Sequence, residues 1–556
     1  MEDHMSRRQQ FFSLVGLGLP LAMGACSSPN FGNTCPIPVN ADNATRTAAI
    51  KKCFGSVGVS TVDQRLKKDV DILFLIDNSP SMSPKQAALA KAIPQFIQTI
   101  DKTGANYHVG IATSDIGTQI APGAPWGGNI GKCESYEGDD GVLQAASCNT
   151  RTDVTSDAKN ACSTLCPDDK FVPNDGRRFI SKVDGVTNVP KSLELDMMSG
   201  KMVDKGPVKA FQCMALVGDS GCGIEGPIEA SKRALDGHRS ENSGFLRSSS
   251  VLAVIYITDE DDCSVQMAKR NEIDPSTIDC DPTQPDEARC YGIDFRCLAR
   301  STQCDQTLLT PGVKTNCKER ANNFLEPLEK YYKFFTTVRP ASKLLVSGVW
   351  TQPSVDMGGR VEIARSGGTT SAYLNRAGGA GASCTYPANQ AIFGQAQYRL
   401  SKFARLFGKD DKGLPNALEI SICDIDNYPK ALDNIAQAIE KKLAGNCLEV
   451  VPKVDNGKPI CLVGDVDENS AGGSPDVLFP TCSTTCCNGW ASAAIPTAAD
   501  PGVIAACTAE STDACFCAVK STAGQCGDTV VAGIWRKGGA EPPPGKVVSF
   551  RCAGGG

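Results

Sequence analysis

Two short clusters of oxygen-bearing side chains carry the chemical interest of this sequence. Asp77-Asn78-Ser79-Pro80-Ser81 follows the apolar run Val70-Asp71-Ile72-Leu73-Phe74-Leu75-Ile76 directly. Alternate residues of such a loop can turn three oxygens toward one point. Hard cations such as Mg²⁺ take oxygen ligands in an octahedral array and keep positions for water or a partner. The second cluster, Asp259-Glu260-Asp261-Asp262, follows the run Val251 to Thr258. Four acids on a loop ordinarily make a solvated surface. The position of Asp259, directly behind an apolar run, gives it a functional reading. The other three acids would raise the local negative potential or help with a second cation such as Ca²⁺.

Both runs read as buried parallel strands, being short, continuous and bounded by polar punctuation. A helix is expected behind the first loop, with Ser83 as N-cap and Pro84 at the first helical position. Leu89, Ala92, Ile93, Phe96, Ile97 and Ile100 give it one apolar face, and Pro94 predicts a kink. Further strands are expected at Tyr107 to Thr113, Lys343 to Trp350 and Ala417 to Cys423, and regular texture at Val208 to Val217. Helices are expected at Pro227 to Leu235 and Tyr428 to Leu443. Strands alternating with helices predict an α/β fold with a doubly wound, mostly parallel sheet. In such sheets, loops at the carboxyl ends of the strands are where ligands bind.

In this setting Asp77-x-Ser79-x-Ser81 closely resembles the opening of the metal-ion-dependent adhesion site (MIDAS) of von Willebrand factor type A (vWA) domains, a Rossmann-like family. The resemblance covers about residues 69–447 and implies a site for Mg²⁺, or Mn²⁺ or Ca²⁺, on Asp77, Ser79 and Ser81. It implies an aspartate after a later strand, matched by Asp259, and a threonine from a loop in between. The matching segment, Gly218-Asp219-Ser220-Gly221-Cys222-Gly223-Ile224-Glu225, has no threonine, so Ser220 would give a hydroxyl or Asp219 a carboxylate. Two insertions, about 119–205 and 263–317, make the domain nearly twice the family's usual length. With acidic-cysteine motifs such as Asp259-Glu260-Asp261-Asp262-Cys263, they look like those of vWA lipoproteins in some Gram-negative bacteria. The bland alternative is a metal-free site whose Ser and Asp side chains cap turns and the first helix.

Gly218-Asp219-Ser220-Gly221 also resembles the nucleophile segment of trypsin-like serine proteases, whose chemistry needs a histidine base and a buried aspartate. The chain has only His4, His108 and His238, none in a matching setting, and its parallel α/β pattern conflicts with that family's all-β barrels. Neither a phosphate-cradling P-loop nor an HExxH segment is present. Net charge is −6 and no Lys/Arg-rich block appears, which argues against nucleic acid as a partner.

The 27 cysteines imply disulfides and an oxidising compartment. Arg7, Arg8 and the apolar stretch from Phe11 to Ala25 have the layout of a signal peptide. Its end, Leu21-Ala22-Met23-Gly24-Ala25-Cys26, resembles a bacterial lipobox, which implies cleavage after residue 25 and lipidation of Cys26. Setting Cys26 aside leaves 26 cysteines, an even number. The arginine pair also loosely resembles a twin-arginine signal. Residues 26–68 read as a tether, with Cys35 and Cys53 in a stapled loop. Residues 448–556, with nine cysteines, read as a small Cys-rich module. Disulfides are expected among Cys133, Cys148, Cys162 and Cys166 in the first insertion.

These readings converge on a non-enzymatic cell-envelope lipoprotein, with Ser27 and Ser28 favouring the outer membrane. It would bind an acidic group on a protein or glycan partner through the divalent ion. A metal-independent envelope scaffold is the alternative, and a hydrolase built on Ser220 a third.

Overall fold

In the computed structural model the described residues are 57–62, 69–117, 138–196, 200–247, 250–272, 323–351, 382–409 and 415–443. Shorter stretches lie between 297 and 321 and at 361–363, and toward the carboxyl end come most of 451–467, then 478–492, 501–520, 530–537 and 546–553. The signal-peptide reading of residues 1–25, Cys26 with its lipidation, and the Cys35–Cys53 loop lie outside them, as does Cys133.

The principal elements in chain order are β1 (Val57–Val62), β2 (Asp69–Ile76), α1 (Ser83–Lys102), β3 (Asn106–Thr113), α2 (Ser156–Leu165), β4 (Ile180–Val183), β5 (Val186–Thr187), α3 (Gly206–Met214), α4 (Pro227–Leu235) and β6 (Val251–Ile257). They continue with α5 (Leu328–Val338), β7 (Leu344–Trp350), β8 (Ala382–Tyr386), β9 (Asn389–Gln395), α6 (Arg399–Leu406), β10 (Glu419–Ser421) and α7 (Tyr428–Leu443). The carboxyl-terminal part adds β11 (Cys461–Asp467), α8 (Thr484–Ser492), α9 (Pro501–Cys507), β12 (Ala514–Val519), β13 (Val531–Arg536) and β14 (Lys546–Ala553).

The central sheet has the order β10-β7-β6-β2-β3-β4-β5. β10, β7, β6, β2 and β3 run parallel, and β4 and β5 extend the edge antiparallel. This is the mixed α/β architecture with a mostly parallel sheet that the alternating pattern predicts. Period-two alternation explains how it is buried on both faces. Val70, Ile72, Phe74 and Ile76 of β2 pack with α1, α3 and α7 on one face. Leu73 and Leu75 pack with α4, α5 and α6 on the other. β6 divides in the same way, with Ala253 and Ile255 on one side and Leu252, Val254 and Tyr256 on the other. β2 has β3 on one flank and β6 on the other, so strand order reverses around it. The crevice at its carboxyl end is therefore where an open α/β sheet binds ligands.

Several local expectations differ from the structure. The Val208–Val217 texture is a helix through Met214, and the segment behind it is irregular. Ser83 does not cap α1. A 3₁₀ turn at Pro80–Met82 enters the helix first, and Met82 takes the cap position. That frees the Ser83 hydroxyl to accept the Ala158 N–H and donate to Thr155 O, each at 3.0 Å, which ties α1 to the start of α2. The first insertion is more regular than its composition suggests, since it supplies α2, β4 and β5. Among the described residues its disulfides are Cys148–Cys162 and Cys166–Cys213, so one bridge reaches forward to α3.

The tether reading of 26–68 also needs amendment at its carboxyl end. β1 pairs antiparallel with β14, and β14 with β11, in a separate three-stranded sheet. The segment ahead of the central sheet thus adds a strand to the carboxyl-terminal module. That module is clamped by Cys461–Cys552, Cys482–Cys515, Cys486–Cys507 and Cys487–Cys517. No helix among the described residues is long and apolar enough to cross a membrane.

Candidate metal centre

Three loops meet at the carboxyl end of β2. The first, residues 77–81, is anchored where the Asp77 N–H continues the ladder to Ile257 O at 2.9 Å. The Ser79 N–H folds back onto Asp77 Oδ1 at 2.7 Å. The Ser79 and Ser81 hydroxyls lie 3.2 Å apart, and Ser81 donates to Asp259 Oδ1 at 3.0 Å. In the loop after β6, the Thr258 hydroxyl donates to Asp77 Oδ2 at 2.8 Å. Asp77, Ser79, Ser81 and Asp259 are therefore drawn into one polar cluster, and Asp77 and Asp259 are fully buried.

Gln86, one turn into α1, locks the third loop to the first. Its amide donates to Asp77 O at 2.9 Å and to Gly218 O at 2.6 Å. The Gly221 N–H donates to Asn78 O at 2.8 Å. A Cβ on Gly221 would fall 2.3 Å from the Asn78 side chain, so only glycine permits this approach.

Of the predicted donors of the third loop, Asp219 turns its side chain away from this cluster. Asp219 accepts the Thr155 N–H at 3.1 Å and its hydroxyl at 2.7 Å, at the start of α2. Ser220 is half-buried and has no hydrogen bond to Asp77, Ser79, Ser81 or Asp259. Glu225, five residues further on, lies near enough for the charges of Asp77 and Asp259 to act on it. Its backbone bridges antiparallel to Asp115, and Cys263 donates to its carbonyl at 2.6 Å. Glu225 is buried, and beside the Ser114 hydroxyl its carboxylate has no well-formed hydrogen bond. Its pKa is pushed well above the ordinary glutamate value by burial, then by the charge of Asp77, against the lowering effect of the Ser114 hydroxyl and with smaller contributions from Asp115 and Asp259. Asn78 Oδ1 is also buried beside these loops without a partner. Sequence reasoning missed Glu225 because the expected hydroxyl directed attention to the start of the segment. The available signal was an acid directly before Gly226-Pro227, at the entry to α4.

Electrostatics follow from the crowding. Asp77 is raised to about 6, by burial first and by Asp259 second. Asp115, at the end of β3, is also raised to about 6, by burial, although Gly117 and Cys222 donate backbone N–H groups to it. Several buried carboxylates with this little compensation make a poor metal-free structure and a suitable donor set for a hard cation. One positive charge is already in place, since the Lys85 ammonium pairs with Asp259 Oδ2 and donates to Ser81 O at 3.1 Å.

The other acids behind Asp259 have structural work. Asp261 accepts the N–H groups of Tyr398, Arg399 and Leu400 at 3.0 to 3.1 Å, capping α6. Asp262 accepts the Ile228 N–H at 3.0 Å in the first turn of α4, and pairs with buried Arg399 at 2.8 Å. Glu260 accepts the Gln395 amide at 3.1 Å. For Asp261 and Asp262 the oxygens face helix N-termini, so their work here is helix capping.

Elsewhere, Cys482, Cys486 and Cys515 bring their sulfurs within 4.8 Å of one another. All three are in disulfides, so the grouping is of neighbouring bridges and not a thiolate site. Both described histidines are engaged away from Ser220. His108 Nδ1 lies 2.7 Å from Phe245 O, and His238 Nε2 lies 2.8 Å from Asp140.

No family model matches the chain, and no curated protein is similar to it. Among solved structures, the pilus adhesin SpaC from Lactobacillus rhamnosus GG, in its open conformation, superposes with a TM-score of 0.26 and 9% identity. The superposition covers 88% of this chain and 39% of that one, so the chain spans well under half of that adhesin. An adhesive tip pilin from Group B Streptococcus agalactiae gives a TM-score of 0.24 and 11% identity, over 89% of this chain and 80% of that one. Both scores are too low for either likeness to bear on fold or function.

Proposed function

We propose that this chain is an exported binding protein whose central domain is of the vWA type and presents a divalent cation to an acidic group on a protein or glycan partner. Asp77, Ser79, Ser81 and Asp259 would hold the ion, with Glu225 in the role that Ser220 or Asp219 would otherwise fill. The observation that carries this reading is Glu225, a fully buried carboxylate among other acids, with the Ser114 hydroxyl as its slight compensation. A bound Mg²⁺, Mn²⁺ or Ca²⁺ would supply a positive centre that accepts a partner's oxygen. The chain's own part is to collect the donors and orient them through Thr258 and Gln86. The disulfides support an oxidising location, and lipid anchoring through Cys26 belongs to the same proposal.

The metal-independent scaffold has one observation in its favour, the Lys85–Asp259 pair, which already places a cation on one of the donors. Isothermal titration of Mg²⁺ and Mn²⁺ into the oxidised protein separates the two readings. Saturable one-site binding that disappears in an Asp77→Ala, Ser79→Ala double variant supports the metal centre. Absence of binding to the unaltered protein rejects it in favour of the scaffold.

A further inference from the structure

Lys85 stands out among the charged side chains of this molecule. α1 starts immediately behind the Asp77–Ser81 loop, and helical side chains lean toward the helix N-terminus. A lysine in the first turn is thereby carried back over the loop. Its ammonium pairs with Asp259 Oδ2, donates to Ser81 O at 3.1 Å, and lies 5.2 Å from the centre of the Phe393 ring. Both Lys85 and Asp259 side chains are 0% exposed. A surface lysine would be strongly hydrated, so this placement has a large desolvation cost, which only a compensating negative environment offsets.

That environment is the donor set itself. Asp77, Asp259 and Glu225 carry three negative charges when ionised. Among the described residues Lys85 is the cation paired with them. We propose that Lys85 is the resident cation of the centre. Its ammonium holds Asp259 and the Ser81 carbonyl when no divalent ion is bound, and a divalent ion gains Asp259 only by displacing it. The inference rests on the metal-centre reading above and adds to it a competitor built into α1. The lysine keeps the ion-free centre folded by neutralising part of its charge, and it lowers the affinity for divalent ions by the work of moving the ammonium.

The test is Lys85→Met, which keeps an unbranched stem against Phe393 and removes the charge. Mn²⁺ titration and thermal melts are run on the oxidised unaltered and variant proteins. The expected result has two parts. The variant binds Mn²⁺ about tenfold tighter or more, as removal of a like charge from a low-dielectric site requires. Its ion-free Tm falls and is regained in Mn²⁺, whereas the unaltered protein melts at a temperature that depends less on Mn²⁺. Equal Mn²⁺ affinities, or a fall in Tm that Mn²⁺ does not reverse, overturns the proposal. If Lys85→Met folds only when produced with Mn²⁺, unfolding on chelation supports it, and failure to fold in Mn²⁺ overturns it. Binding that needs Asp77 and Glu225 but is indifferent to Lys85 defeats this inference alone. Silence of both proteins toward Mn²⁺ defeats the metal-centre reading with it.

Discussion

Thr258 donates its hydroxyl to Asp77 Oδ2 at 2.8 Å, so the residue just ahead of Asp259 orients the residue that opens the first loop. Replacing the hydroxyl by a methyl group tests how far this bond sets the centre. Thr258→Val is expected to cost about 1 kcal/mol of stability and to weaken divalent binding by ~10-fold. Denaturant unfolding and Mn²⁺ titration measure the two effects.

Glu225 and Asp219 are distinguished by opposite responses. Glu225→Gln relieves a buried charge, so the ion-free protein should become more stable while Mn²⁺ affinity falls by ~10-fold or more. Asp219→Ala removes the acceptor for Thr155 at the start of α2, which should cost about 1 kcal/mol and leave Mn²⁺ affinity unchanged. Loss of ion binding in Asp219→Ala with retention in Glu225→Gln would return the role to the start of the loop.

The pH dependence has a definite sign. Asp77 is raised from 3.8 to about 6 in the folded chain. Between those values the native state therefore holds more protons than the unfolded state. Stability without divalent ions should fall as pH rises through this window, and the cost is fully present above pH 6. Protons and the ion compete for the same carboxylate, so divalent binding should weaken as pH falls below about 6. Melts at pH 5 and pH 7.5, with EDTA or Mg²⁺, should show the ion removing much of the loss at the higher pH.

Arg399 is almost wholly buried against Asp262. Asp262→Ala should destabilise the domain by roughly 3–5 kcal/mol, since it leaves a guanidinium in the interior without its closest charge and removes a cap from α4. An Asp262→Ala, Arg399→Leu double variant should recover part of that loss in chemical unfolding. No recovery would mean that the helix cap, and not the ion pair, sets the cost.

Much of this molecule was legible from local pattern. The runs before Asp77 and Asp259 are strands because continuous apolar residues of that length suit a sheet covered on both faces. The helices at Pro227 and Tyr428 follow from proline near the start and apolar spacing at three and four residues. Alternation of these elements was enough to predict a mostly parallel sheet and to place the Asp77 and Asp259 loops at strand ends. The first insertion was misread as irregular because short strands and α2 leave only a weak periodic signal. Disulfides such as Cys166–Cys213 are set by proximity, which cysteine count does not encode.

By itself, then, the sequence determined the alternating elements, the buried strands and the two acidic loops at their carboxyl ends, since those depend on residue type and spacing along the chain. Tertiary structure decided which side chains share the centre. Asp219 turns to Thr155, Asp261 and Asp262 turn to helix N-termini, Lys85 pairs with Asp259, and Glu225 is buried within range of the Asp77 and Asp259 charges. The physical reason is that an acid's partner is chosen by whichever donor or cation the packed helices bring within about 3 Å, and spacing along one strand or loop does not specify that neighbour.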